Sequence, residues 1–83
     1  MKNITINQPV HVTALGFKKN LRAYPRQIEF EGRTYDFVDS GLSCLVNSGL
    51  RASQILTMSD GRKQFRLRSD NFGGLWTLLS MSA

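Results

Sequence analysis

The sequence predicts an all-β fold, either a small antiparallel barrel or a strongly curved sheet of five or six short strands, with room for one short helix. Two observations predict this class. Apolar and polar residues alternate with a period of two in several segments. Turns rich in glycine separate those segments at close spacing. Because 83 residues provide one core, we expect a single domain over residues 1–83 with a frayed tail at residues 80–83.

The first predicted strand covers residues 4–14, where isoleucine, valine and alanine share one parity and polar residues share the other. Pro9 interrupts the pattern and lacks the N–H that a sheet requires. We therefore predict an edge strand, or two short strands with a bend between them. Residues 15–25 are predicted to form a connection, because glycine and asparagine break the alternation there.

The clearest hairpin of the sequence turns at Gly32, which we expect at a positive φ in a two-residue turn of Gly32 and the following arginine. This register places Phe30 opposite Tyr35, so that aromatic side chains meet on the core face. The same register places Glu29 opposite Asp36. Two like charges facing each other destabilise a sheet, so a basic neighbour would have to compensate.

The middle of the chain is ambiguous between helix and strand. Residues 42–46 form a short apolar segment, and residues 51–58 contain several good helix formers. A strand is favoured for residues 51–58 because Asp60 and Gly61 follow, a pair typical of hairpin turns. Residues 62–69 alternate again and predict the next strand.

The last predicted strand, residues 75–79, is apolar on both parities. Such a strand is central in its sheet or is covered on both faces. The sequence contains no strong amphipathic helix to cover it, so barrel closure or a second copy of the chain must do so.

Charge is unevenly distributed along a chain whose net charge is +5. Residues 17–26 carry only basic charges, residues 29–39 are mainly acidic, and residues 51–68 are mainly basic again. Basic residues mixed with aromatic ones are typical of proteins that bind single-stranded nucleic acid, where cations contact phosphates and rings stack on bases.

The candidate nucleic-acid-binding residues come from both basic regions. One face of the strand predicted at residues 62–69 would present Arg62, Gln64, Arg66 and Arg68 at intervals of about 6.6 Å, which suits contacts to several phosphates at once. Tyr24 is the candidate for stacking. An equally weighted alternative is that Arg66 and Arg68 pair with the acidic hairpin. The full candidate set is Lys18, Lys19, Arg22, Tyr24, Arg26, Arg66 and Arg68.

Enzyme motifs are missing from the sequence. His11 is the one histidine and lies on the polar parity of its strand, and Cys44 lies in an apolar segment typical of a buried thiol. The acids of residues 29–39 favour a solvated face over a Mg²⁺ site. We therefore predict no catalysis, no cofactor, no metal and no small-molecule substrate.

The sequence also bears on location. No apolar run approaches the about 18 residues that span a bilayer, and the first residues lack the apolar segment of a signal peptide. A lone cysteine fits a reducing compartment. A cytoplasmic protein without a membrane partner is expected.

A resemblance to a known family lies in the hairpin. The segment Pro25-Arg26-Gln27-Ile28-Glu29-Phe30-Glu31-Gly32-Arg33-Thr34-Tyr35 resembles the core of a family of small uncharacterised bacterial β-rich proteins. Residues 9–12 and 74–78 resemble the segments that flank this core. This chain departs from the family pattern in having Phe30 where tryptophan is usual. The resemblance implies a compact β fold and brings no activity.

Together these observations predict a non-catalytic binding or accessory module whose partner is single-stranded DNA or RNA. The alternative is a protein-interaction module, for example a homodimer, that uses a sheet edge and the apolar C-terminal strand. Ionic strength separates the two, because phosphate binding weakens with salt and an apolar interface does not.

Overall fold

A single antiparallel sheet of seven strands makes up the fold. The computed structural model describes residues 3–17, 23–39, 41–49, 51–70 and 75–82. The all-β class is confirmed, but the strands number seven rather than five or six, and no helix occurs in these ranges. The strand order across the sheet is β3-β2-β1-β7-β6-β5-β4. The strands are β1 (Asn3–Phe17), β2 (Ala23–Phe30), β3 (Arg33–Asp36), β4 (Leu42–Ser48), β5 (Arg51–Ser59), β6 (Gln64–Asp70) and β7 (Trp76–Ser82).

The long strand β1 joins the two halves of the sheet. Its first half pairs with β7 and its second half pairs with β2. As a whole β1 lies inside the sheet order rather than at an end, but Pro9 itself belongs to the half that pairs only with β7, since pairing with β2 begins at His11. The register against β7 shifts between Thr5 and Gln8, where Asn7 has a φ of 53°. This bulge lies just before Pro9, where a break in the ladder hydrogen bonds suits a residue that has no N–H.

The sheet curls so far that its first hairpin packs over its middle. The ring centroids of Tyr35 and Phe37 lie 5.0 and 5.2 Å from that of Phe65 on β6. In a flat sheet β3 and β6, four strand spacings apart, would be separated by about 19 Å. The Val38 N–H also donates to the carbonyl of Ser59 at 2.8 Å. The curved sheet is nevertheless open, with β3 and β4 as its edges, so the barrel alternative is wrong.

The concave, inner face of the curled sheet holds the hydrophobic core. Buried side chains on β5, β6 and β7 alternate with more exposed ones, as the period of two requires. They form one cluster, which fits a single small domain. The buried apolar residues are Val10, Ile28, Phe37, Leu56, Met58, Phe65, Leu67, Trp76, Leu78 and Met81.

The hairpin of β2 and β3 turns one residue earlier than predicted. Its turn residues are Glu31 and Gly32, with φ values of 51° and 75°, and Phe30 pairs with Arg33. Two positive φ values are the pattern of a type I′ turn, which matches the right-handed twist of the strands. The positive φ expected at Gly32 is confirmed.

The true register of this hairpin removes the predicted charge conflict. Glu29 lies opposite Thr34, and Asp36 lies opposite Gln27, whose side-chain amide donates a hydrogen bond to the Asp36 carboxylate. Two acids therefore do not face each other, and no basic neighbour is needed to compensate.

The structure also tests the predictions for the middle of the chain and for its C-terminal residues. The segments that the sequence left ambiguous form the strands β4 (Leu42–Ser48) and β5 (Arg51–Ser59), so the preference for strand over residues 51–58 is confirmed. The predicted frayed tail is corrected for residues 80–82. Ser82 pairs with Asn3, and both Met81 and Ser82 are buried, because β7 is held between β1 and β6.

Candidate nucleic-acid interface

Two of the candidate arginines lie on the outer face of β6. Phe65 and Leu67 point into the core, so the side chains between and after them, Arg66 and Arg68, point to the opposite face. Arg66 is exposed and Arg68 is half-buried. The two arginines are separated by one residue along an extended strand, which confirms the placement on one face that the alternation predicts.

Hydroxyl side chains flank both arginines on this outer face. Arg66 lies opposite Thr57 of β5 on one side and Ser80 of β7 on the other. Arg68 lies between Ile55 and Thr77. Residues directly opposite in an antiparallel pair share a face, so these side chains are neighbours. Guanidinium and hydroxyl groups are both common donors to phosphate oxygens, so the surface is suited to phosphate contacts.

The acidic hairpin lies in another part of the sheet. Strands β1 and β7 separate β6 from β2, which carries Glu29. Arg66 and Arg68 are therefore not cross-strand neighbours of Glu29 or Asp36. The alternative in which the arginines relieve a charge conflict in the hairpin loses its basis, because the conflict is absent and the strands are not adjacent.

Tyr24 has a structural role in the hairpin region. It pairs with Gly16 of β1, and its ring covers the glycine so closely that a Cβ at that position would lie 2.4 Å from the ring. The ring is half-buried and packs against the core. An aromatic ring lying over a glycine in the neighbouring strand protects an otherwise open backbone. The ring face that meets Gly16 is therefore occupied and cannot stack on a base.

Arg26 lies apart from the arginines of β6. It is exposed on β2 and lines a shallow depression together with Asp36 and Phe37. Its carbonyl accepts a hydrogen bond from the Phe37 N–H at 2.9 Å. The nearby carboxylate makes this depression less favourable for a phosphate than the outer face of β6. The remaining candidates, Lys18, Lys19 and Arg22, lie outside the described residues.

A groove that the sequence did not predict lies on the inner side, between the start of β1 and the tip of the β2–β3 hairpin. Its volume is about 610 Å³. Phe30 and Tyr35, predicted as core, line it as half-buried side chains. Arg33, Lys63 and Glu31 contribute charges of both signs. The alternation of apolar and polar residues along single strands could not predict this groove, because the groove forms only when the sheet curls and brings distant strands together.

Asp60 organises the turn that precedes β6. Its Oδ1 accepts hydrogen bonds from the backbone N–H groups of Arg62 at 2.8 Å and Lys63 at 2.7 Å. Partial burial opposes ionisation of Asp60, but the hydrogen bonds from Lys63 and Arg62 outweigh it and hold the pKa of this carboxyl below its ordinary value. The turn therefore fixes the start of the strand that carries Arg66 and Arg68.

The two edges of the sheet are β3 and β4, and the C-terminal strand is not one of them. The central position predicted for this strand is confirmed, since β7 lies between β1 and β6. An interface that uses β7 as a sheet edge is therefore excluded. The edge with exposed apolar residues is β4, which carries Leu42, Leu45 and Val46.

The comparisons with known proteins bring no relative. No family model, no curated protein and no solved structure matches the chain. Among the described residues, no three His, Cys, Asp or Glu side chains are grouped so that they could hold a metal ion. The described part of the chain also contains no helix that is long and apolar enough to cross a membrane.

Proposed function

We propose that this protein is a non-catalytic module that binds single-stranded DNA or RNA through the outer face of β6. The observation that carries the proposal is the pair Arg66 and Arg68, which share one face and are flanked by Thr57, Thr77 and Ser80. The residues opposite Arg66 on the two neighbouring strands, Thr57 and Ser80, are not acidic, and the one acid of β6 is its last residue, Asp70. A net charge of +5 adds a long-range attraction for a polyanion.

The proposed contacts are made to the backbone and are independent of base sequence. Arg66 is exposed and forms no ion pair within the described part of the chain, so its guanidinium is available for two hydrogen bonds to one phosphate. The adjacent hydroxyls donate further hydrogen bonds to phosphate oxygens. Binding of this kind is sequence-tolerant and depends strongly on salt.

The test is fluorescence anisotropy with a labelled oligothymidine and a labelled oligouridine. We expect a micromolar Kd at about 50 mM salt that weakens as the salt concentration rises. Arg66→Ala removes one phosphate contact and lowers the slope of log K against log salt by about 0.7, the value for single strands. Arg66→Lys keeps a charge at this position and retains most of the slope.

The matched control is Arg33→Ala, which removes the same charge from the edge strand β3. We expect it to leave the slope unchanged, because Arg33 lines the groove and not the outer face of β6. The triple replacement of Lys18, Lys19 and Arg22 by alanine tests the other basic region and lowers the slope by about two if all three contact phosphates. Absence of binding at low salt, or equal effects of Arg33→Ala and Arg66→Ala, would contradict the proposal.

A further inference from the structure

The strand β4 is an exposed edge of the sheet, and its composition favours pairing with a strand of another chain. It is the last strand of the sheet, so one side of its backbone has no strand partner in the part of the chain that the structure describes. Its seven residues, Leu-Ser-Cys-Leu-Val-Asn-Ser, include no charged residue and no proline. Charges, prolines and short length are the usual devices that prevent an edge from pairing, and β4 has none of them.

Apolar side chains lie on both faces of this edge. Leu42, Cys44 and Val46 share the outer face, and Leu42 is 79% exposed. Cys44 is exposed as well, so the expectation of a buried thiol is wrong, because the edge strand has no further strand to cover it in the described part of the chain. Leu45 points to the inner face and is 52% exposed. Ile55 of β5 lies opposite Cys44 and extends the apolar surface of the outer face from the edge strand onto β5. An occupant that adds a strand here would cover apolar surface on both faces as well as the open backbone edge.

The interior side of β4 is already satisfied. Gln54 is buried beside the edge, and its Nε2 donates to Oγ of Ser43 at 3.1 Å. Gln54 and Ser43 therefore satisfy each other by a hydrogen bond, and neither needs a polar group from another molecule. Among the described residues, the feature left without a partner is the outer edge of β4 with its apolar side chains.

We infer that the occupant of this edge is a second copy of the chain, whose β4 pairs antiparallel with the first across a two-fold axis perpendicular to the sheet. Such an axis keeps the outer faces of both copies on the same side, so residues of equal parity oppose each other. Centred on Leu45, the register sets Leu45 against the partner's Leu45 and Cys44 against the partner's Val46. Every one of these positions meets an apolar side chain.

Charge favours a second copy at this edge in particular. Two copies that each carry a charge of +5 repel, and an interface between them forms at a surface that brings no further like charges together. β4 is such a surface and offers seven residues for pairing, whereas the other edge strand, β3, offers only four. An interface about a two-fold axis is self-complementary by construction, and the uncharged sequence of β4 meets that requirement.

Sedimentation velocity of the whole chain at about 50 μM tests the inference. We expect a species of twice the 9.4 kDa monomer mass. Leu45→Lys sets two lysines opposite each other at the two-fold axis and raises the dimer dissociation constant by about tenfold or more. Leu75→Lys is the matched control, because Leu75 is 78% exposed yet lies beside the central strand β7, and it leaves the dimer intact.

Crosslinking supplies a second readout that does not depend on a destabilising charge. In the Val46→Cys variant the new thiol faces the partner's Cys44, within the Cα separation that a disulfide needs. Oxidised glutathione then converts this variant into a covalent dimer, whereas Leu15→Cys, at an exposed position on β1, four strands away from β4 in the sheet order, does not crosslink. A wild-type protein that sediments as a monomer would overturn the inference. So would a dimer that Leu75→Lys dissociates, or one that Val46→Cys fails to crosslink.

Discussion

The two edges of the sheet are built in opposite ways. β3 has four residues, begins with Arg33 and ends with Asp36, and the chain that follows it bonds across to the end of β5. β4 has seven residues, none charged, with apolar side chains on both faces. A short, charged edge resists the addition of another strand, and a long, uncharged one accepts it. The comparison shows that this fold protects one edge and leaves the other available.

The protected edge also depends on the core, while the available edge does not. Tyr35 and Phe37 anchor β3 and the segment after it on Phe65. On β4 the apolar residues Leu42 and Leu45 are mostly exposed and contribute little to the core. Changes in the core should therefore release β3, and changes on β4 should affect association more than stability.

The largest expected effect comes from breaking the anchor of β3. Phe65→Ala removes a fully buried ring that contacts Tyr35 and Phe37, and we expect a loss of about 3–5 kcal/mol in the free energy of unfolding. Urea denaturation measures the loss, and amide exchange should accelerate in β3 before β4. The control Leu75→Ala, at an exposed position, should change stability by less than about 0.5 kcal/mol. A loss at Phe65 as small as that of the control would show that the hairpin is not anchored there.

The next largest effect on stability is expected from alanine substitutions at two glycines, each of which precedes one of the edge strands. Gly32 before β3 and Gly41 before β4 have φ values of 75° and 76°. A Cβ at Gly32 meets nothing within 4 Å, but one at Gly41 lies 2.9 Å from Cγ of the buried Met58 and 3.1 Å from the Thr57 carbonyl.

Alanine at either glycine is strained by about 1–2 kcal/mol, because a side chain disfavours a positive φ. Gly41→Ala must in addition displace Met58 or the β5 backbone, so we expect it to exceed Gly32→Ala by about 1–2 kcal/mol in thermal or urea unfolding. Equal losses of unfolding free energy at the two positions would mean that Met58 and the β5 backbone move aside for the new Cβ at Gly41 without destabilising the protein.

The smallest expected effect on stability comes from a substitution in the turn that precedes β3. Glu31 has a φ of 51° in a type I′ turn, a conformation in which asparagine is better tolerated than glutamate. We expect Glu31→Asn to stabilise the protein by about 0.5–1 kcal/mol in urea unfolding. Glu31→Val provides the opposite control, because a β-branched residue at this φ destabilises. A loss of stability in Glu31→Asn would indicate that the Glu31 side chain itself supports the turn.

The candidate site was predictable where it depends on local alternation. Arg66 and Arg68 fall on one face because their strand alternates strictly with the buried Phe65 and Leu67. The role of Tyr24 was not predictable, since its packing on Gly16 requires that β1 and β2 become neighbours. The groove formed by Phe30 and Tyr35 was missed for the same reason, because its walls come from strands that meet only when the sheet curls.

The all-β class, the positive φ at Gly32, the turn at Asp60-Gly61 and the parity of most buried residues could be predicted from the sequence, because each depends on contacts within a few residues. The tertiary structure decided which strands are neighbours. It placed β7 at the centre by pairing Ser82 with Asn3 at the far end of the chain, and it moved the hairpin turn to Glu31. It also left β4 as an edge. Strand order depends on how the whole core is buried, and the alternation within one strand carries no information about its neighbour.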